Sequence, residues 1–571
     1  MNISSTNRML GEFYTPQRVV KSLHSLAIDK LGDIYSDYVV WDPAWGSGNL
    51  TKDNKFKSLF CSTLRDIDIR KWRMNNKEAT KFQYDFLNDD ISQLKSIQNR
   101  LTDEYKMPEE LLEHIENNDK ILFLMNPPYA GNSSFGSGND SEDSKKGATQ
   151  NEIQKMMNAD KMSSAATNLY TQFLYRIIKM KEAYHLDNVA IAIICPPQYL
   201  TAASYKVFRE LMFKNFKFRG AKYIRASEFD GLANTWGISL TVWDSGESED
   251  KEVFTHKVIE YDSGENEVLL QEKGIYNLDY HMCACDWLRS YNNNAQRAYM
   301  PNQSSGVVLK DKAQLGIKDA IMHIGYKGNS VYHNEIEVLV TSGTYSDGVG
   351  IGVTPDSFDY GIIYYTSRKL FTRQYMSWIN DKDEYCRPLL ESEDADVQEA
   401  ISKLKTEGLV YTIFNQSNHC TSMKNAWYID GVTNTKVPYR MKNEFFFLTK
   451  QRLLELSGGY LNDSCFDTDG DAFVALKLQQ YKEQGILSPE ALKVLEFAEE
   501  IYADTFKLRA EFNARYPQYE VENWDAGWYQ IKNLLKEYDN ERFKRFNETY
   551  KQLWIAMQDK DYVHRAGILF Q

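Results

Sequence analysis

The stretch Ile121–Gly131, ILFLMNPPYAG, constrains the fold of this chain more than any other. Ile121 to Met125 are apolar without alternation, the pattern of a short strand covered on both faces of a parallel sheet. The run stops at Asn126-Pro127-Pro128-Tyr129. Two prolines fix their own φ angles and remove two backbone donors, so neither a helix nor a ladder continues through them. The strand therefore ends in a stiff turn at its carboxyl end, where open α/β sheets place ligands. The turn offers a neutral amide at Asn126, carbonyls without competing N–H groups, and an aromatic face at Tyr129. Such a set suits a flat molecule that carries an amino group.

At 571 residues the chain exceeds what one core supports, so two or three domains are expected. No apolar run approaches the roughly 18–20 residues of a membrane span. The first residues, MNISSTNRML, lack the apolar core of a secretory signal. Seven cysteines are scattered singly apart from Cys283 and Cys285, which fits a reduced, cytoplasmic setting. The formal net charge of −13 argues against indiscriminate binding to nucleic acid, although a localised basic groove remains compatible with it.

Before the central strand, Thr15-Pro16 offers a helix start with a capping hydroxyl and a proline at the first helical position. Val19, Val20, Leu23, Leu26, Ala27 and Leu31 follow at helical spacing. Tyr38–Thr51, YVVWDPAWGSGNLT, reads as a strand ending in Asp42, then a turn in which Gly46 and Gly48 let backbone approach a ligand. The pattern is not GxGxxG, so a dinucleotide site is not the natural reading. Leu59–Ile69 and Phe82–Leu87 read as strands ending in acids at Asp66, Asp68 and Asp85. Successive strand-end carboxylates suit a nucleoside site, where one accepts from a ribose diol and another from an adenine amine.

Asn132–Thr167 is rich in Gly, Ser, Asn and Lys and is expected to be a mobile loop. Leu169–Met180 and Tyr205–Phe216 read as helices, Val189–Cys195 as a buried strand, and Gly237–Asp244 as the last strand. The alternation of strand, helix and strand-end acid argues for a parallel α/β sheet covered on both faces.

Together these pieces resemble the N6-adenine DNA methyltransferases that use S-adenosyl-L-methionine, in the arrangement with the recognition domain C-terminal. The resemblance spans roughly residues 10–245. It implies a Rossmann-like methyltransferase domain with a mixed, mostly parallel sheet, followed by an α+β recognition domain with a helical tail. Phe13-Tyr14-Thr15-Pro16 looks like the family's N-terminal cofactor-contacting motif. Asp42, Ala44, Gly46 and Gly48 fall in the methionine-binding loop, normally D-P-x-C-G-S-G, with Trp45 where cysteine is common. Asp66 matches the acid that holds the cofactor ribose, with Ile67 beside the adenine, and Asp85-Phe86 the pair that reads and packs that adenine. Asn126, Pro127 and Tyr129 match the catalytic tetrad, with Met125 where glycine is frequent, and Asn126 also borders the cofactor. Phe229 falls where an aromatic packs on the extruded base, with Trp236 the less favoured candidate.

Residues 1–245 are thus expected to form the catalytic domain, 246–485 the target-recognition domain and 486–571 a helical region. In the recognition domain, basic-aromatic clusters place Arg368, Lys369, Arg373, Lys436, Arg440 and Lys442 as candidate DNA contacts, and Asn415, Gln416 and Asn418 as a polar loop. No metal site is expected. Asp467-Thr-Asp-Gly-Asp departs from a calcium loop, and His281, Cys283 and Cys285 are too few and too close for tetrahedral zinc. The resemblance implies a monomeric, site-specific enzyme of bacterial or phage origin acting on double-stranded DNA, with a restriction enzyme or specificity subunit as possible partner. The alternatives are methylation of RNA or of a protein amide, because related enzymes share NPPY, and a modification subunit of a restriction-modification system that needs a separate specificity subunit.

Overall fold

The computed structural model describes residues 14–95, 105–129, 150–162, 164–249, 252–326, 328–333, 338–345, 350–371 and 377–570. The chain divides into two compact units, one of residues 1–281 with Ser377–Asp383, the other of Met282–Met376 with Glu384–Phe570.

In the first unit the elements run α1 (Gln17–Leu31), β1 (Val39–Asp42), β2 (Ser58–Thr63), α2 (Asp66–Lys71), β3 (Thr80–Gln83), α3 (Glu109–Glu116) and β4 (Ile121–Met125). They continue as α4 (Glu152–Ala159), α5 (Leu169–Tyr184), β5 (Val189–Cys195), α6 (Lys206–Asn215), β6 (Phe216–Arg225), β7 (Gly237–Ser245), β8 (Val253–Tyr261) and β9 (Glu267–Tyr276). Among the described residues these strands form one sheet in the order β3-β2-β1-β4-β5-β7-β6-β8-β9. The run from β3 to β5 is parallel, and β7 lies antiparallel between β5 and β6. This is a mixed, mostly parallel α/β sheet. Its strand order reverses between β1 and β4, which pair from Val39↔Ile121 to Trp41↔Phe123. The carboxyl ends of these two strands therefore open side by side at the switch point, the position where such sheets bind ligands.

The unbroken apolar run of β4 has a direct cause in this packing. Ile121, Phe123 and Met125 point into one core with Trp41, Leu174 and Ile177, while Leu122 and Leu124 point into the other with Val19, Val20 and Leu23. All five are buried, and each contributes about 1.5–3 kcal/mol relative to exposure. Helices on both faces leave no polar side for alternation to mark.

Several boundaries differ from the sequence reading. β2 ends at Thr63 because Asp66 and Asp68 open α2, where acids in the first turn favour the helix dipole. β3 ends at Gln83, because the Asp85 carboxylate accepts from Leu87 N–H at 3.0 Å and Asn88 Nδ2 at 2.7 Å, a local turn that competes with the ladder. The stretch expected to be a loop contains α4, capped by Asn151 accepting from Gln154 N–H at 2.7 Å; residues 130–149 of that stretch lie outside the described residues. Strand β8 pairs with β6 and β9 with β8, so the sheet continues beyond the expected boundary at 245.

The second unit holds short strands, including a four-stranded sheet of Met322–Gly325, Leu339–Thr341, Ile351–Val353 and Asn418–His419, and longer helices. Helix α7 (Phe358–Leu370) and α8 (Ala395–Phe414) precede the tail, α9 (Pro489–Arg515), α10 (Trp528–Tyr538) and α11 (Asn540–Asp559). Phe414 of α8 meets Trp528 and Phe546 edge-on at 5.2 and 5.4 Å. The residues after 486, expected as a separate region, thus share a core with those before it. Among the described residues no helix is long and apolar enough to cross a membrane.

Candidate active site

A cavity of about 330 Å³ opens at the switch point. Its walls come from Tyr14 and Thr15, the turn from Pro43 to Leu50 after β1, Thr63, Leu64, Arg65 and Asp68 around the β2–α2 junction, and Tyr84 to Asn88 after β3. Asn126 and Pro128 after β4, with Asn151, Leu169 and Phe173, complete it. Four of these segments, those after β1, β2, β3 and β4, converge here because parallel strands all end on the same edge of the sheet.

The turn after β1 is shaped by two glycines at φ +52° (Gly46) and +74° (Gly48). A Cβ on Gly48 would lie 2.6 Å from the indole Nε1 of Trp45, so the residue standing where the family prefers cysteine makes the second glycine obligatory. Asp42, at the end of β1, is almost fully buried. Its Oδ1 accepts from Ala44 N–H at 3.1 Å, while Oδ2 has no hydrogen-bond partner among the described residues. Burial pushes this carboxyl up to about 8, against the lowering effect of the Ala44 hydrogen bond.

Asn126 is held from two sides. Its Nδ2 donates to Thr15 Oγ1 at 2.9 Å, and its Oδ1 accepts from the Tyr129 hydroxyl at 2.6 Å. Thr15 does not cap α1, whose first turn has no side-chain cap; its hydroxyl binds the Asn126 amide instead. Asn49 Nδ2 donates to Thr15 O at 3.1 Å and ties the same segment to the glycine turn. Burial raises the Tyr129 hydroxyl well above its ordinary range, so it remains a donor.

Phe86 packs edge-on against Trp41 at 5.3 Å and stacks on Phe173 at 5.0 Å. The turn that carries it is gripped by Arg176 of α5, fully buried, which donates to Phe86 O at 3.2 Å, Asp89 O at 2.7 Å and the Tyr84 hydroxyl at 2.8 Å. Sequence reasoning missed Arg176 and Phe173, although a basic residue on the apolar helix Leu169–Tyr184 was a visible anomaly.

Of the residues expected to hold a cofactor, Tyr14, Thr15, Ala44, Gly46, Asp85, Phe86 and Asn126 line the cavity, whereas Pro16, Asp42, Gly48, Asp66 and Ile67 do not. Asp66 is ion-paired with Arg70, and Ile67 is 66% exposed. Asp68, two positions on, lines the cavity instead, buried and paired with Arg65 Nε at 2.9 Å. Leu64 supplies the apolar wall expected of Ile67. The helix that starts at Asp66 rotates the acids by about 100° per residue, so the first acid turns away and the third residue turns in. Phe229 is fully buried and meets Tyr129 edge-on at 6.3 Å, so it backs the tyrosine rather than lining the cavity.

The structure withdraws part of the basic clusters of the second unit from the surface. Arg368 and Lys369 are buried on α7, not offered to a groove. Arg368 donates to the Tyr364 hydroxyl at 2.7 Å and Gly328 O at 3.0 Å, and Lys369 to Ser417 Oγ at 3.1 Å. Arg440 makes ion pairs with Asp467 and Asp525, both at 2.8 Å, and Lys442 with Glu444 at 2.7 Å. Lys436 is exposed above the Trp427 ring at 3.8 Å, and Arg373 lies outside the described residues. Asn415 and Asn418 are buried, with Asn418 donating to Thr412 O and Ile413 O at 3.0 Å each. Cys283 and Cys285 stand 3.1 Å apart beside Asp286.

The glycine turn after β1 and the amide-proline turn after β4 thus open on one cavity of the α/β sheet. Residues 1–204 match the family model described as N-6 DNA Methylase. Solved structures similar to the chain include one assigned as a modification subunit of a type I restriction enzyme from Vibrio vulnificus YJ016 (16% identity, 61% of this chain, 59% of that one, TM-score 0.28). Others are a DrdV–DNA complex (11%, 72% and 58%, TM-score 0.38) and a nuclease-deletion mutant of the Type ISP restriction-modification enzyme LlaGI with a DNA substrate mimic (11%, 82% and 61%, TM-score 0.36). The chain spans less than two thirds of each. A comparison with curated protein sequences gives no match.

Proposed function

We propose that this chain is a site-specific, cytoplasmic DNA adenine-N6 methyltransferase that takes its methyl group from S-adenosyl-L-methionine and acts on an adenine flipped out of duplex DNA. The observation that carries this reading is the Asn126 amide, held by Thr15 and Tyr129 at the mouth of the switch-point cavity.

The residues present fit the cofactor. Asp68 suits a ribose diol and Asp85 with Phe86 an adenine edge and face, while the unpartnered Asp42 Oδ2, directly behind the Pro43–Leu50 wall, suits an amino group that reaches past that turn. When bound, the cofactor supplies an electrophilic methyl group. Asn126 and the Pro127 carbonyl each accept one hydrogen of the substrate amine, drawing its nitrogen toward tetrahedral geometry so that its lone pair localises. The Thr15 bond to Nδ2 fixes which end of the amide is the acceptor. A carboxamide oxygen carries two lone pairs, so a bond from Tyr129 and one from the substrate can coexist. No strong base is required, since the amine proton becomes acidic only as the new bond forms. Tyr129 stacks on the flipped base and offsets part of the unstacking cost, roughly 1–3 kcal/mol for one such contact.

Asn126→Ala is expected to abolish transfer of labelled methyl from tritiated cofactor to duplex DNA while cofactor binding persists. An active Asn126→Ala variant, or a wild type that labels RNA or ribosomal protein in preference to DNA, would falsify this reading.

A further inference from the structure

The second unit contains a concavity of about 220 Å³ whose walls include Arg289, Asn292, Arg297, Gln314, His323 and Tyr345. Its rim is an antiparallel pair, Arg297–Tyr299 with Leu315–Ile317, in which Arg297 faces Ile317 and Tyr299 faces Leu315. Gly316 and Gly352 keep the walls free of side chains; a Cβ on either would collide with neighbours, Met300 and Thr344 for the first and Ile317 for the second.

The polar groups here differ from those of the basic clusters described above. Arg297 is exposed and has no partner among the described residues. Arg289 is anchored by Asp286 at 2.8 Å and lies 5.7 Å above the Tyr326 ring, so its planar fork is pre-oriented. Asn292 is 7% exposed; its Nδ2 donates to Gly352 O at 2.9 Å, leaving Oδ1 unpartnered in the wall. A buried acceptor without a partner costs about 1–3 kcal/mol, so its retention at a cavity wall points to a ligand that donates to it.

We propose that this concavity reads base edges of duplex DNA, with Arg297 as the guanine-specifying residue; the assignment rests on the function proposed above. A guanidinium donates bidentately to guanine O6 and N7, a carboxamide such as that of Gln314 pairs with adenine N6 and N7, and Asn292 Oδ1 accepts from an exocyclic amine. Base-edge recognition also fits a chain of net charge −13, which cannot rely on general attraction to phosphates.

The test is selection from a randomised duplex DNA pool on the immobilised full-length chain, sequencing what is retained. Wild type should enrich one sequence containing a guanine. Arg297→Ala should lose preference at that guanine by on the order of tenfold to a hundredfold, and Gln314→Ala at a different position. Arg297→Lys, which keeps the charge but not the fork, should lose the guanine preference while still retaining duplex. Because Arg297 is exposed, unchanged thermal unfolding will show that these variants fold. Enrichment of the wild-type sequence at equal fidelity by Arg297→Ala and Gln314→Ala, or no enrichment by wild type, overturns the proposal. Selection without methylation would instead remove the catalytic reading and leave this one standing.

Discussion

If Asp42 receives the amino group of the cofactor, binding should be linked to its ionisation. In the free chain burial pushes this carboxyl up to about 8, so at pH 7 only about one molecule in ten carries the charge. Pairing with a cationic amine requires the charged form; Asp42 then gives up about 0.9 proton and the partly neutral amine takes up about 0.1–0.2, so binding at pH 7 should release about 0.7–0.8 proton net. The affinity should rise about eightfold from pH 6 to 7 and a further two- to threefold by pH 8. Above that it should fall again, because an α-amino group has an ordinary value of about 7.7–8.0 and loses its own charge. Titration calorimetry at pH 7 in two buffers of different ionisation enthalpy measures the released proton directly. Asp42→Asn should abolish the rising arm. Affinity that is flat from pH 6 to 8 in the wild type, or a rising arm that survives in Asp42→Asn, would refute the linkage. The same carboxyl shapes stability. Between its ordinary value of 3.8 and about 8 the folded chain holds a proton that the unfolded chain has lost, so stability falls as pH rises through that window. Asp42→Asn should flatten that slope in urea unfolding.

Gly48→Ala is expected to destabilise the chain by about 1–3 kcal/mol through collision with Trp45 and left-handed strain. In a Trp45→Cys background urea denaturation should show the smaller cost of strain alone. Asp68→Asn should raise the KM for the methyl donor at least tenfold, whereas Asp66→Asn, which loses only a surface pair with Arg70, should leave it unchanged. The buried imidazoles of His24 and His256 are held by desolvation at about 4. Their contribution to stability is full above 6.5 and is lost as pH falls through 4, so thermal unfolding should drop across this range and their ring resonances should titrate late.

The catalytic half shows how far sequence reaches. Strand β4 and the turn after it were legible because five consecutive apolar residues have one packing solution, and two prolines allow no continuation. The glycines after β1 were legible for a similar local reason, since only residues without Cβ enter left-handed conformations cheaply. Thr15 was misread because its hydroxyl had two possible partners, a helix N–H nearby or an amide 111 positions away, and only the second is made.

What the sequence determined by itself is therefore the local part: which runs are strands, where they stop, and that an amide, several acids and an aromatic stand at those stops. What only the tertiary structure decided is which of these groups look into the same space. The change from strand to helix after Thr63 turned Asp68 inward and Asp66 outward, a rotation that no pattern of residue types encodes. Burial likewise removed Arg368 and Lys369 from the surface while leaving Arg297 exposed, because long cationic side chains are placed by what packs around their stems rather than by their spacing.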